Sequence, residues 1–234
     1  MTVAAIVPAY NEEARITRVL EVLVQSPSLD EIIVVNDGSV DGTAEAVQQF
    51  AQAHPEKRVR LINLPTNRGK GGAMFAGATA TEADIIAFFD ADLIGLNPSH
   101  VESIIAPVRE GAVAMAIGVF RGGRFRTDIA QILVPYISGQ RALLRELFVE
   151  IPGIEGTRSG VEIALTLHFQ RNRYPVAMVP ITGITHTMKE EKLGFWRGAI
   201  ARMKMYLEIG RAFARYMRWR DLRHKLLLKS KGGD

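Results

Sequence analysis

Four apolar runs of strand length, each breaking off into a polar or glycine-rich cluster, constrain this chain more than any other feature. The runs are Val3 to Pro8, Glu31 to Asn36, Val59 to Leu64, and the stretch inside Ala83 to Phe89. The clusters that end them are Pro8-Ala9-Tyr10-Asn11-Glu12, Asp37-Gly38-Ser39, Asn67-Arg68-Gly69-Lys70 and Asp90-Ala91-Asp92. Between them, residues such as Ile16, Val19, Leu20, Leu23 and Val24 recur at helical spacing. Runs of Ile, Val and Phe without polar alternation suit strands buried on both faces. Their alternation with helices predicts an α/β fold, a mostly parallel twisted sheet flanked by helices. Ligands in such sheets bind beyond the C-terminal strand ends, where all four clusters fall, so one rim is expected to form a crevice.

The fourth run carries two carboxylates, Asp90 and Asp92. With one residue between them they would leave a regular strand on the same side. There they can hold a divalent cation and a ribose or phosphate, or simply cap the strand and the helix expected from Pro98 to Arg109. A fifth strand is expected over Ala112 to Gly118. Beyond it the alternation fails: a basic glycine-rich loop holds Arg121, Arg124 and Arg126, Ser138 to Arg141 lead into a short helical stretch through Phe148, and a helix runs from Gly160 to about Gln170. Short strands are expected over Pro175 to Val179 and Ile181 to His186. From Phe195 a long amphipathic helix places Trp196, Ala199, Ile200, Met203, Tyr206 and Leu207 on one face.

Composition narrows the chemistry. None of the 234 residues is cysteine, which excludes disulfides, thiolate metal sites and cysteine nucleophiles. The net charge of +4 hides an asymmetry: residues 195–234 hold eleven Lys or Arg against three acids, while the rest of the chain is mildly acidic. Such a tail suits an anionic membrane surface, and equally a helix packed on its own domain or on a second copy in a homodimer. The N-terminal run reads as a core strand and not a signal peptide, and no apolar run reaches the ~20 residues of a membrane span. The expected location is the cytoplasm, with peripheral membrane contact through the tail.

The first loop lacks Gly-x-Gly-x-x-Gly, and Gly69-Lys70-Gly71-Gly72 does not complete a Walker loop, which disfavours dinucleotide binding and P-loop hydrolysis. The four clusters, with Asp41-Gly42-Thr43 and Gly71-Gly72-Ala73 completing the second and third, resemble in order and spacing the motif set of family 2 glycosyltransferases of the GT-A fold. The polyprenyl-phosphate mannosyl and glucosyl transferases and the glucosyl-3-phosphoglycerate synthases are the relatives they most resemble. The likeness is strong over residues 1–118 and weaker to 194. It implies a catalytic domain over 1–194, with a nucleotide-sugar half (1–118) and an acceptor half (119–194), followed by the tail at 195–234.

The resemblance also implies roles. Pro8, Ala9, Tyr10, Glu12 and Asp37 would hold the base and ribose of a nucleoside diphosphate sugar, although Glu12 is also an ordinary acid for a helix's first turn. Gly69 and Lys70 would meet the diphosphate at a helix mouth, with Lys70 otherwise a solvated turn lysine. Asp90 and Ala91 line the donor side, and Asp92 is the metal position. His186 completes the metal site by likeness to the synthases, for Mn²⁺ or Mg²⁺, with Mn²⁺ the better match to an imidazole. Gly139, Gln140 and Arg141 fall on the acceptor side, and Glu162 is either a general base or a helix cap. Arg121 and Arg124 suit a phosphate on the acceptor.

The expected activity is therefore metal-dependent transfer of a sugar, glucose from UDP-glucose, to a phosphorylated or lipid-linked acceptor such as polyprenyl phosphate. The soluble synthase-like reaction is the alternative. A sugar-phosphate nucleotidyltransferase would carry a basic glycine-rich first loop, absent here. A non-catalytic module binding nucleotide or nucleic acid through the tail is the rival of another class, and nucleic acid is not the expected partner.

Overall fold

The computed structural model describes residues 1–121, 138–158 and 160–186. Seven strands form one sheet: β1 (Val3–Ala9), β2 (Glu31–Asn36), β3 (Val59–Asn63), β4 (Ile85–Phe88), β6 (Met115–Arg121), β7 (Arg141–Leu144) and β8 (Val176–Thr182). A second sheet pairs β5 (Leu93–Ile94) with β9 (Thr185–His186). The main sheet runs in the order β3-β2-β1-β4-β7-β6-β8. All its pairings are parallel except those of β7, which is antiparallel to both neighbours. The helices are α1 (Ile16–Val24), α2 (Thr43–Ala53), α3 (Lys70–Thr79), α4 (Pro98–Arg109), α5 (Arg145–Val149) and α6 (Val161–Asn172), with a 3-10 turn at Ile154–Gly156.

The central strands β1, β2 and β4 are largely apolar because both sheet faces are covered there, while β3 and β8 carry exposed positions. Ala5 and Val7 of β1 pack with Ile16, Leu20 and Leu23 of α1, Val47 of α2 and Ile104 and Val108 of α4. On the opposite face Ile6, Ile33 and Val35 pack with Ala73 and Met74 of α3 and Leu165 and Phe169 of α6. Successive strand residues point to opposite faces, so β1 feeds both cores. Gly77 of α3 permits close helix-sheet contact, since a Cβ there would lie 2.5 Å from Ile6 Cγ2.

The expected α/β architecture is present, with four differences. Strand β4 stops at Phe88, so Asp90 and Asp92 lie on the turn between β4 and β5 and do not project from a regular strand. Arg141–Leu144 is a strand and not a lead-in to a helix. Three of its four residues are buried between β4 and β6, and so short a run merges in the sequence with the helix that follows. Strand β6 begins later than expected and runs to Arg121. Strand β8 continues through Pro180, where the sequence suggested a break; among the described residues it pairs only with β6 and forms the sheet edge, where a missing N–H is tolerated. Arg124, Arg126 and the tail at 195–234 lie outside the described residues. No helix among the described residues is long and apolar enough to cross a membrane.

Candidate functional site

The loops after β1 and β2 are tied to each other at the rim. Asn11, in the left-handed region at φ 56°, donates its amide to Ser39 Oγ at 3.0 Å and accepts from the Val40 amide through Oδ1 at 3.0 Å. The Glu12 amide donates to Thr43 Oγ1 at 2.9 Å. Asp41 Oδ1 accepts from the Thr43 amide at 3.1 Å just ahead of α2, whose N-cap is Gly42. Glu12 is buried at the start of α1 and its carboxylate accepts from Arg15 Nη1 at 3.2 Å, while Tyr10 is half exposed beside it. Pro8 and Ala9 close β1 behind Tyr10.

Asp37 joins this pair of loops to the next. Its carboxylate, almost fully buried, accepts the Arg68 amide at 2.7 Å and the Gly69 amide at 2.9 Å. Burial pushes its pKa above the usual carboxylate value, while those two amides and the nearby Arg158 and Arg68 guanidiniums pull it down. Gly38 is needed for this approach: at φ 69°, a Cβ there would fall 2.8 Å from the Asn67 amide nitrogen. Arg158 Nη2 donates to Asn67 Oδ1 at 2.5 Å.

At the mouth of α3 three backbone amides are already engaged. The Gly71 amide donates to the Thr157 carbonyl at 3.0 Å, and the Arg68 and Gly69 amides are held by Asp37. The segment after the 3-10 turn packs so tightly here that a Cβ on Gly71 would lie 2.1 Å from Thr157 Oγ1. A charged side chain also stands at this point.

The side chain in question is Lys70. Its Nζ lies 2.5 Å from Asp90 Oδ1 and 2.5 Å from Glu162 Oε1, joining the β4–β5 turn to the first turn of α6. Burial lowers its pKa, but the two carboxylates more than offset this and leave it raised, so Lys70 is charged across the physiological range. Gln140 Nε2 donates to Asp90 Oδ2 at 3.0 Å. Gly139 passes directly against this cluster: a Cβ there would lie 2.3 Å from Asp90 Oδ2 and 2.7 Å from Lys70 Nζ. Residues expected on the donor side (Lys70, Asp90) and the acceptor side (Gly139, Gln140, Glu162) thus form one cluster.

Arg141, expected to contact the acceptor, is fully buried. Its Nε donates to the Ser138 carbonyl and its Nη1 to Thr166 Oγ1, both at 2.8 Å, and Thr166 donates in turn to the Glu162 carbonyl at 2.8 Å. Burial lowers its pKa to about 10 against the pull of Glu162 and Asp90, so it stays cationic at neutral pH. Arg141 therefore supports the cluster from beneath.

Asp92 is half-buried on the same turn as Asp90. In the β5–β9 ladder Leu93 pairs with His186, which brings the backbone of His186 level with the residue next to Asp92. The two are 94 positions apart in sequence, and only this small sheet brings them together. A carboxylate and an imidazole are a donor set that suits Mn²⁺, and ions of this kind bind nucleotides with few protein ligands and the phosphates completing the shell. By residue type the pair suits such an ion; among the described residues no group of three or more such side chains is gathered. Arg121 ends β6.

Several residues at the rim carried no signal in the sequence. Thr157, Arg158 and Thr166 lie near Glu162 along the chain, but nothing in their spacing shows that they reach α3, Asn67 and Arg141. Asn11, with its neighbour Glu12, was legible as a loop residue but not as the hinge between two loops.

A family model described as glycosyl transferase family 2 matches residues 4–165. A dolichyl-phosphate beta-glucosyltransferase of Dictyostelium discoideum is 36% identical over 208 residues, covering 75% of this chain. A glucosyl-3-phosphoglycerate synthase of Mycobacterium tuberculosis is 30% identical over 200 residues, covering 71% of this chain. The chain spans 60% of the length of each of these two relatives. A crystal structure of the Mycobacterium tuberculosis synthase with Mn²⁺, uridine diphosphate and glucosyl-3-phosphoglycerate superposes with a TM-score of 0.69 at 25% identity, covering 92% of this chain and 79% of that one.

Proposed function

Because this chain belongs to glycosyl transferase family 2, we propose that it transfers glucose from UDP-glucose to a phosphorylated acceptor, with Mn²⁺ or Mg²⁺ at the rim. The observation that carries this reading is the single cluster of Lys70, Asp90 and Glu162, with Gln140 behind it and Asp92 on the same turn. It puts a cation and three carboxylates where a nucleotide would lie along the strand ends.

Asp92 and His186 would hold the metal ion, which when bound neutralises charge on the departing diphosphate as a Lewis acid. Tyr10, Glu12 and Asp37 line the nucleotide end, with Asp37 acting chiefly by fixing the Arg68–Gly69 backbone. Lys70 supplies a permanent positive charge beside the diphosphate. In the transfer, the bond from the sugar's anomeric carbon to the diphosphate oxygen breaks and a bond to an acceptor oxygen forms. Glu162 would take the proton of an acceptor hydroxyl; an acceptor phosphate oxygen needs no base.

The Dictyostelium relative's name supports a polyprenyl phosphate acceptor, as does the basic tail. The likeness to the synthase crystallised with glucosyl-3-phosphoglycerate supports the second reading, transfer to a hydroxyl of a small phosphorylated acid. We place the protein in the cytoplasm, reaching a membrane through residues 195–234 if the acceptor is a lipid. The deciding assay supplies radiolabelled UDP-glucose and Mn²⁺ with either polyprenyl phosphate or 3-phosphoglycerate. Label passing to one acceptor selects between the readings; label passing to neither, with no binding of UDP-glucose, rules out both.

A further inference from the structure

Arg158 is a cationic side chain packed onto the rim to which the proposed function gives no task. It is exposed, and its stem lies across Gly69, where an added Cβ would come within 2.9 Å of Arg158 Cγ. Among the described residues its one hydrogen-bond partner is Asn67 Oδ1, at 2.5 Å from Nη2. Most of the five N–H donors of the guanidinium therefore remain available to a ligand. Its charge also acts on Asp37. Asn67, Gly69 and Asp37 thus hold it in place at the end of β2.

That place is two strands from the end of β4 in the order β2-β1-β4, about 10 Å at normal strand spacing. With the diphosphate near Asp92 and Lys70, a nucleotide laid along the rim brings its base to the β2 end, beside Arg158; the inference rests on the donor reading in this respect. A guanidinium donates hydrogen bonds and accepts none. Uracil and guanine present a ring carbonyl at the position where cytosine and adenine carry an amino group. We propose that Arg158 reads the base of the nucleotide, donating to the carbonyl of a keto base and rejecting an amino base by setting donor against donor. It is a specificity residue, in a segment otherwise occupied with closing over α3.

Two plainer roles make different predictions. A staple that only holds Asn67 to Gly69, or a contact to phosphate, would affect every nucleoside diphosphate alike. The test is calorimetric titration of UDP and of CDP, each with Mn²⁺, into the full chain and into Arg158→Ala and Arg158→Gln, with melting temperatures measured alongside. The wild-type chain should prefer UDP by about tenfold or more, and both variants should bring the two affinities within about twofold at an unchanged melting temperature. Gln is the sharper probe, because its amide can donate to uracil or accept from cytosine. An unchanged UDP-to-CDP ratio in the variants, including equal weakening of both ligands, overturns the role given to Arg158 and leaves the donor reading standing. Failure of the wild-type chain to bind either nucleotide overturns both.

Discussion

Replacing Gly139 with alanine tests the rim at its tightest point. The added methyl would sit 2.3 Å from Asp90 Oδ2 and 2.7 Å from both Asp90 Oδ1 and Lys70 Nζ. Ordinary carbon-oxygen contact begins near ~3.5 Å, so the carboxylate has to retreat by roughly 1 Å. Asp90 cannot do so and keep both Lys70, at 2.5 Å, and Gln140, at 3.0 Å. Overpacking of this kind costs about 1–3 kcal/mol, against a gain of about 0.4–1 kcal/mol from a less flexible unfolded chain, which leaves a net loss of about 1–2 kcal/mol. Donor affinity should fall at least about tenfold, because the displaced groups are those beside the diphosphate. Denaturant unfolding and calorimetric titration of UDP-glucose with Mn²⁺ measure the two effects. Gly156→Ala is the control: a Cβ there meets nothing within 4 Å, and the change should be neutral or slightly stabilising. A Gly139→Ala protein of wild-type stability and donor affinity would refute the close-packed cluster.

Lys70→Met should destabilise the protein by about 1–2 kcal/mol, less than the ~3–5 kcal/mol of a fully buried broken pair, because Lys70 is 27% exposed and water reaches the site. Since the folded pKa of Lys70 is raised above 10.5, its contribution is complete below that pH and is lost only as pH climbs through the folded value, so the deficit should be the same at pH 6 and pH 8; a deficit that differs between the two would contradict this. His168 behaves in the opposite way. Burial first, then Arg171, lowers its pKa from 6.5, and its Nε2 lies 3.2 Å from Asn172 Nδ2, where an unprotonated ring nitrogen accepts. Its contribution is complete above pH 6.5 and declines as pH falls through the lowered value, so His168→Gln should flatten the acid limb of a stability-pH curve measured by denaturant unfolding.

The parallel half of the fold was legible because each strand there is a single apolar run closed by a turn cluster. Val3 to Ala9 and Glu31 to Asn36 could be read almost to the residue, and Pro98 to Arg109 likewise, with its Asn97 cap seen only in the structure. The acceptor half was harder. Arg141 to Leu144 is too short for periodicity to separate strand from helix, and its arginine reads as an acceptor contact. Only the structure shows that Ser138 and Thr166 satisfy that guanidinium inside the protein. The four motif clusters named the rim residues, but pattern says nothing of contacts between loops far apart in sequence. Lys70 and Glu162 are 92 positions apart, and their pairing depends on α3 and α6 packing on the same sheet face. Similarly, that Asp92 and His186 are neighbours follows from a two-residue ladder, below the length at which a strand shows in sequence.

The account rests on a rim that takes up a nucleotide diphosphate together with a divalent cation, and one titration addresses that most directly. UDP-glucose is added to the wild-type chain and to Asp92→Ala, each with Mn²⁺ and with the ion chelated. Binding that is strong only with Mn²⁺ in the wild-type chain, and equally weak in all other arms, is the predicted result. Affinity in the wild-type chain that is the same with and without the ion would contradict the account.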